Sequence, residues 1–196
     1  MVKISPKKIK GQWVDGYALD FHMVSSTFIG YDDYGHEQFD TKRSEIGELL
    51  YRLKYKKDKS VINEMVTTAA DFVKSKRWSF DLLIQVPPSS SRSFQPVVVL
   101  AELLAKALSI EYCGDCVEKI KDTPQLKNVS DVNERKKLLS GAFRADCSKI
   151  EGKSVLLFDD LYCSGATMNE VSSALQKSGK AAFVYTLAIT MARERR

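Results

Sequence analysis

Histidine, cysteine and long apolar runs are the scarce features of this chain. Its 196 residues hold two histidines, His22 and His36, and four cysteines, Cys113, Cys116, Cys147 and Cys163. Two lone histidines do not make a metal set, so both are read as surface or hydrogen-bonded imidazoles. Cysteines this sparse fit a reducing compartment. No apolar run approaches the length of about 20 residues that a membrane-spanning helix needs. The N-terminal MVKISPKKIKGQW is basic, without the apolar stretch of a signal peptide. These features lead to the expectation of a cytoplasmic protein. A formal net charge of +5 suits an anionic substrate, and no basic stripe with interleaved aromatics points to nucleic acid. Neither an internal repeat nor a low-complexity tract is present.

What is there centres on Lys153 to Met168, KSVLLFDDLYCSGATM. Ser154 to Phe158 reads as a strand buried on both faces. Two adjacent carboxylates follow, Asp159 and Asp160, then Leu161, Tyr162, Cys163, Ser164 and Gly165. From Ala166 an amphipathic helix is expected, with Met168, Val171, Ala174 and Leu175 on one face and Gly179 as its stop. Strand, acidic turn, small-residue loop and helix start, in that order, suit a ligand site beyond the carboxyl end of a strand. Free N–H groups at the helix start form a phosphate seat, and Ser164 and Thr167 add hydroxyls. A sugar whose hydroxyls meet both acids explains why carboxylates stand beside it.

Upstream, Gln12 to Phe28 is rich in aromatic and β-branched residues, and Asp15-Gly16 reads as a hairpin turn. Gly30, Asp32, Asp33 and Gly35 mark a second turn region. Thr41 to Tyr55 turns helical through Ile46, Leu49, Leu50 and Leu53, with Lys54 to Lys57 as a solvated basic end. A second helix is expected over about Lys59 to Lys76, with Ile62, Met65, Ala69, Phe72 and Val73 inward. Asp81 to Val86 is the next strand. It runs into Pro87, Pro88, Ser89, Ser90, Ser91 and Arg92, then a helix from about Gln95 to Leu108 with Pro96 in its first turn. Ile110 to Ile120 is expected to hold a short strand interrupted at Gly114-Asp115. Cys113 and Cys116 there have metal-like spacing, but zinc wants four ligands and a redox pair wants a positive helix start. They are read as buried or half-buried free thiols. Lys119 to Phe143 is long and polar, the composition of a lid, with a short helix over Asp131 to Leu139. Lys180 to Thr190 is a final apolar strand.

The stretch Val155 to Asp160, with Ser164, Gly165, Ala166 and Thr167, resembles the phosphoribosyl pyrophosphate (PRPP) signature of type I phosphoribosyltransferases. The resemblance implies that Asp159 and Asp160 hold the ribose 2′- and 3′-hydroxyls. It implies that Tyr162, Cys163, Ser164, Gly165, Ala166 and Thr167 hold the 5′-phosphate, Cys163 through its backbone N–H alone. It places pyrophosphate on the loop of Pro88, Ser89, Ser90, Ser91 and Arg92, and a closing loop over Lys119 to Phe143. Loop donors are then Lys121, Gln125 and Arg135, and Tyr162 is a further candidate for the sugar or acceptor. Mg²⁺ is expected through substrate and water, with no direct protein ligand. A homodimer is a further implication.

Thr123-Pro124-Gln125, Glu134-Arg135, Gly141-Ala142-Phe143 and Arg92-Ser93-Phe94-Gln95 are similar to the ComF-type branch of that family. The chain departs from it at Ser93, Gln95 and Leu138, where the branch usually has Gly, Asn and Asn. The branch also commonly starts with a cysteine zinc ribbon, and the first cysteine here is Cys113. The expected fold is a single α/β domain, residues 1–196, with a mostly parallel twisted sheet and helices on both faces. Residues 1–40 form a small N-terminal β hood segment and 41–196 the core. The expected activity is transfer of the 5-phosphoribosyl group of PRPP to a nitrogen acceptor of unassigned identity. The rival readings are a PRPP- or nucleotide-binding regulator without turnover, a protein serving a DNA transaction, and a plain structural domain.

Overall fold

Alternating strands and helices decide the architecture of the computed structural model, which describes residues 2–88, 93–122 and 131–193. The elements are β1 (Lys7–Lys8), β2 (Asp15–Phe21), β3 (Met23–Tyr31), β4 (Glu37–Arg43), α1 (Glu45–Tyr55), α2 (Ile62–Lys74), β5 (Leu82–Gln85), α3 (Pro96–Leu108), β6 (Glu111–Tyr112) and β7 (Val117–Lys119). They continue with α4 (Val132–Leu139), β8 (Phe143–Ala145), α5 (Cys147–Ile150), β9 (Ser154–Tyr162), α6 (Ala166–Lys177) and β10 (Phe183–Met191). The main sheet runs β1-β2-β10-β9-β5-β6. It is parallel throughout except for β1, which pairs antiparallel to β2.

Strand alternation sends side chains to two cores. On one face Leu83, Leu156, Phe158, Leu187 and Ile189 pack against α1, α2 and α3. On the other, Leu82, Ile84, Val155, Leu157, Val184 and Ala188 pack against α6 and the β7–β8 region. A sheet covered on both faces explains why β5 and the first half of β9 read as unbroken apolar runs. Each helix carries its stripe as the periodicity predicts: Leu50 and Leu53 of α1, Met65 of α2 and Val171 and Leu175 of α6 are fully buried. No helix among the described residues is long and apolar enough to cross a membrane.

Several local expectations change. Asp15-Gly16 is no turn: it opens β2, whose residues pair parallel to Tyr185 and Thr186 of β10. A Cβ on Gly16 would run into the Thr186 Oγ1 and lie 2.6 Å from Trp13 Nε1. Glycine therefore serves close packing here rather than reversal. The N-terminal β segment divides, with β2 joining the main sheet and β3–β4 forming a separate antiparallel hairpin turned at Asp32 to Gly35. Thr41 to Arg43 belongs to β4, and α1 starts only after Ser44, whose Oγ accepts from Gly47 N at 3.0 Å as an N-cap does. The Ile110–Ile120 region splits into β6 in the main sheet and β7 in a two-stranded sheet with β8. The tight turn between β6 and β7 brings Cys113 and Cys116 together, Cα atoms 5.5 Å apart, as a disulfide rather than free thiols. Both are buried as expected, whereas Cys147 and Cys163 are free.

Candidate functional site

The site exists because β9 outlasts β5. The last β5 pair is Gln85 with Phe158, and Val86 N donates to Phe158 O at 2.8 Å. Pro87 and Pro88 then turn the chain away, since proline cannot extend the ladder. β9 continues to Tyr162 with β10 still beside it, Asp159 opposite Ala188 and Tyr162 opposite Met191. The acid pair thus lies within a strand, supported on one side and open on the other, rather than in the turn expected after Phe158. A cleft of about 230 Å³ fills the opening, lined by Lys54, Pro87, Pro88, Asp159, Asp160 and Thr167 among others. Its position outside the carboxyl ends of parallel strands is where α/β sheets bind ligands.

Alternation turns the two carboxylates to different faces. Asp160 shares the face of Phe158, toward α1. There it meets Lys54, whose Nζ lies 2.8 Å from Asp160 Oδ1, with side-chain exposures of 21% and 14%. Lys54 stands one helical turn beyond the buried Leu50, and residues four apart share a helix face. It therefore points inward instead of forming the solvated basic end that composition suggested. Asp159 Oδ1 accepts from Asp160 N at 2.8 Å. Burial, then the neighbouring Asp160 charge, push the Asp159 carboxyl far above the ordinary aspartate range, with Lys54 opposing. A low-dielectric strand edge carrying like charges raises acids in this way, and such shifts mark functional sites.

His22, in the link between β2 and β3, belongs to the same cluster. Its Nδ1 lies 3.4 Å from Thr190 Oγ1, and Thr190 also donates to Asp160 O at 3.3 Å. Burial first, then the charges of Lys54 and Arg43, hold this imidazole below the ordinary histidine range. It is the hydrogen-bonded histidine that composition predicts, yet its neighbours are those of the acid pair. Nothing local in the sequence joins His22, Lys54 and Asp160.

The small-residue loop follows the strand. Gly165 caps α6 in the left-handed conformation, φ 73°. A Cβ there would strike the Tyr162 hydroxyl and lie 2.8 Å from its Cζ, so the tyrosine ring lies across the glycine. Ser164 Oγ is 3.5 Å from both Ala166 N and Arg135 Nη1. The exposed Cys163, the half-buried Ser164 and Thr167 and the buried Ala166 surround the helix start, where N–H groups and the helix dipole favour an anion. Arg135 reaches this loop from α4, whose start is capped by Asp131 accepting from Glu134 N at 2.7 Å. Lys121 instead donates to Ser140 O at 2.8 Å and does not meet the acid pair. The two arms of the long polar segment pair at their base, Lys119 opposite Phe143. Pro88 lines the cleft. Ser89, Ser90, Ser91, Arg92 and Gln125 lie outside the described residues.

No protein-family model matches the chain. Over 143 residues it is 29% identical to Competence protein ComFC of Bacillus subtilis (strain 168), a match covering 70% of this chain and 56% of that protein. Over 90 residues it is 31% identical to Competence protein F of Haemophilus influenzae, covering 45% of this chain and 39% of that protein. The matches thus span about half or less of the length of these curated relatives. Among solved structures, the adenine phosphoribosyltransferase of Trypanosoma brucei in complex with AMP, pyrophosphate and ribose-5-phosphate aligns over 96% of this chain and 75% of that one, with a TM-score of 0.52 at 11% identity. The glutamine PRPP amidotransferase of B. subtilis aligns over 80% of this chain and 34% of that one, with a TM-score of 0.50 at 19% identity. The chain carries the type I phosphoribosyltransferase fold and, in sequence, is similar to the ComF-type proteins.

Proposed function

We propose that this chain is a cytoplasmic phosphoribosyltransferase that takes the 5-phosphoribosyl group of PRPP and passes it to a nitrogen acceptor. The observation that carries the reading is the acid pair on the overhanging half of β9, lining a cleft that Thr167 of α6 also borders. Asp159 and Asp160 accept the ribose 2′- and 3′-hydroxyls, and Tyr162 to Thr167 hold the 5′-phosphate. Pyrophosphate leaves C1′ with the bonding electron pair, and the acceptor nitrogen supplies a new pair to C1′. Positive charge develops at the sugar in between, and the Asp160 carboxylate fixed beside it stabilises that charge. Arg135, already at Ser164, adds a cation at the phosphate end.

Magnesium fits this donor set in one manner. Asp160 Oδ1 is taken by Lys54 and Asp159 Oδ1 by a backbone N–H, so the pair offers no cage of oxygens. A Mg²⁺ that keeps its waters and binds through ligand oxygens suits such a site. Asp159 and Asp160 would hold it through those waters, and bound there it would neutralise the leaving pyrophosphate. A homodimer remains part of the proposal, and sedimentation velocity reads it.

Calorimetric titration of PRPP with Mg²⁺ tests the reading on the wild type and on the Asp159→Asn, Asp160→Asn double variant. The expected result is binding near the micromolar range, on the order of −8 kcal/mol, lost in the variant. Screening nitrogen acceptors for pyrophosphate release then separates turnover from binding. Equal binding to both proteins, or none to the wild type, overturns the proposal. The names of the competence relatives favour a second reading, a PRPP-binding protein serving a DNA transaction. Tight PRPP binding with salt-dependent binding of single-stranded DNA and no pyrophosphate release would select it.

A further inference from the structure

The Lys54–Asp160 pair occupies one of the two acids that the ribose would need. A ligand hydroxyl that takes Asp160 Oδ1 displaces that ammonium. Hydroxyls are neutral, so the exchange would leave the Asp160 carboxylate without its cation. Among the described residues on the α1 side of the acids, the neighbouring charged groups are already engaged. Arg43 stacks on the Tyr51 ring, its guanidinium carbon 3.7 Å from the centroid, and lies 3.5 Å from Glu48. His22 shares the cluster with Lys54, Arg43, Glu48 and Asp160, and burial holds its imidazole below the ordinary histidine range. Lys54 also borders the cleft alongside Pro87, Pro88, Gln95 and Pro96. These residues flank the segment between β5 and α3. The released ammonium therefore has somewhere to go without any movement of α1, whose Leu50 and Leu53 are locked in the core. A flexible four-carbon stem with a compact charge can make that move.

We infer that Lys54 is an exchangeable counter-ion of the site: it neutralises Asp160 while the site is empty and turns to the pyrophosphate group when a ribose takes its place. This rests on the PRPP reading above and assigns that reading a residue outside the strand, loop and helix that carry it. Lys54 then touches the ligand in the bound state and serves as an internal stopper in the free one.

The test compares ligands that share the ribose but differ in pyrophosphate. PRPP, ribose 5-phosphate and inorganic pyrophosphate, each with Mg²⁺, are titrated into wild type, Lys54→Met and Lys54→Arg, with thermal unfolding confirming that each variant folds. Lys54→Met is expected to lose about tenfold or more in affinity for PRPP and pyrophosphate (tenfold is about 1.4 kcal/mol). For ribose 5-phosphate it should change by less than about threefold or bind more tightly, because the stopper is gone. Lys54→Arg is expected to restore most of the PRPP affinity. Equal losses for all three ligands would mean that Lys54 only props the strand edge, and unchanged PRPP affinity would mean that it never meets pyrophosphate. Either outcome overturns the assignment while leaving the PRPP site standing. Absence of PRPP binding to the wild type overturns both.

Discussion

β9 and β3 are each nine residues long, yet they live in opposite surroundings. β9 lies between β10 and β5, with Val155 to Phe158 fully buried. β3 has one neighbour, β4, and nearly every residue exposed, Ile29 and Tyr31 at 66% each. Its aromatic side chains find mainly one another, Phe28 with Phe39 and Tyr31 at ring distances of 5.7 and 5.2 Å. A strand buried on both faces can fix a carboxylate against a ligand, because its backbone cannot drift. A two-stranded ribbon alone in water is marginal and cannot impose that accuracy. The half of β9 that overhangs β5 combines the two conditions, anchored at one end and open at the other.

Substitutions sharpen this contrast, beginning with the deepest. Leu157→Ala, at a fully buried position beneath the acids, is expected to cost about 2–5 kcal/mol, read from denaturant unfolding. Gly165→Ala forces a side chain into a left-handed backbone and into the Tyr162 ring. A cost of about 1–2 kcal/mol is expected for the backbone alone, with weaker phosphate binding. Asp159→Asn works in the other direction. The folded protein holds the Asp159 proton above the ordinary aspartate range, so wild-type stability falls as pH rises from that range toward the raised value. The asparagine variant lacks this slope. It should melt higher at pH 8, by on the order of 1–2 kcal/mol after allowing for partial exposure, and converge with wild type near pH 4. Melting temperature against pH checks it. Phe28→Ala on the exposed ribbon should stay within about 0.5 kcal/mol of wild type. A larger loss there would show that the ribbon is held by more than its own aromatic contacts.

The order of legibility follows the range of the forces involved. Strand, acids, loop and helix could be read from Ser154 to Leu175 because apolar runs and periodicity are local signals. The Ser44, Asp131 and Gly165 caps are local too, and the helix starts sit where those residues place them. Lys54 was misread because the basic tail looks solvated until Asp160, far along the chain, is brought beneath it. Asp15-Gly16 was misread because a turn and a tight interstrand contact demand the same residue. Cys113 and Cys116 follow neither helix-start chemistry nor zinc geometry, because their pairing needs only a short turn between two strands. That β2 lies in the main sheet was equally hidden, since its partner β10 comes at the other end of the chain.

That last pairing has a consequence for how the molecule is made. β10, the last strand among the described residues, sits between β2 and β9 and bonds to both. During synthesis the N-terminal strands wait for it, and the sheet stays divided until Phe183 to Met191 are available. Contacts of such long range are slow to form and leave unpaired edges in the interval. A ribosome that stops before Phe183 would release two sheet fragments with apolar edges and no seam between them. Synthesis of Phe183 to Met191 therefore decides whether the two sheet fragments join or stay open to aggregation.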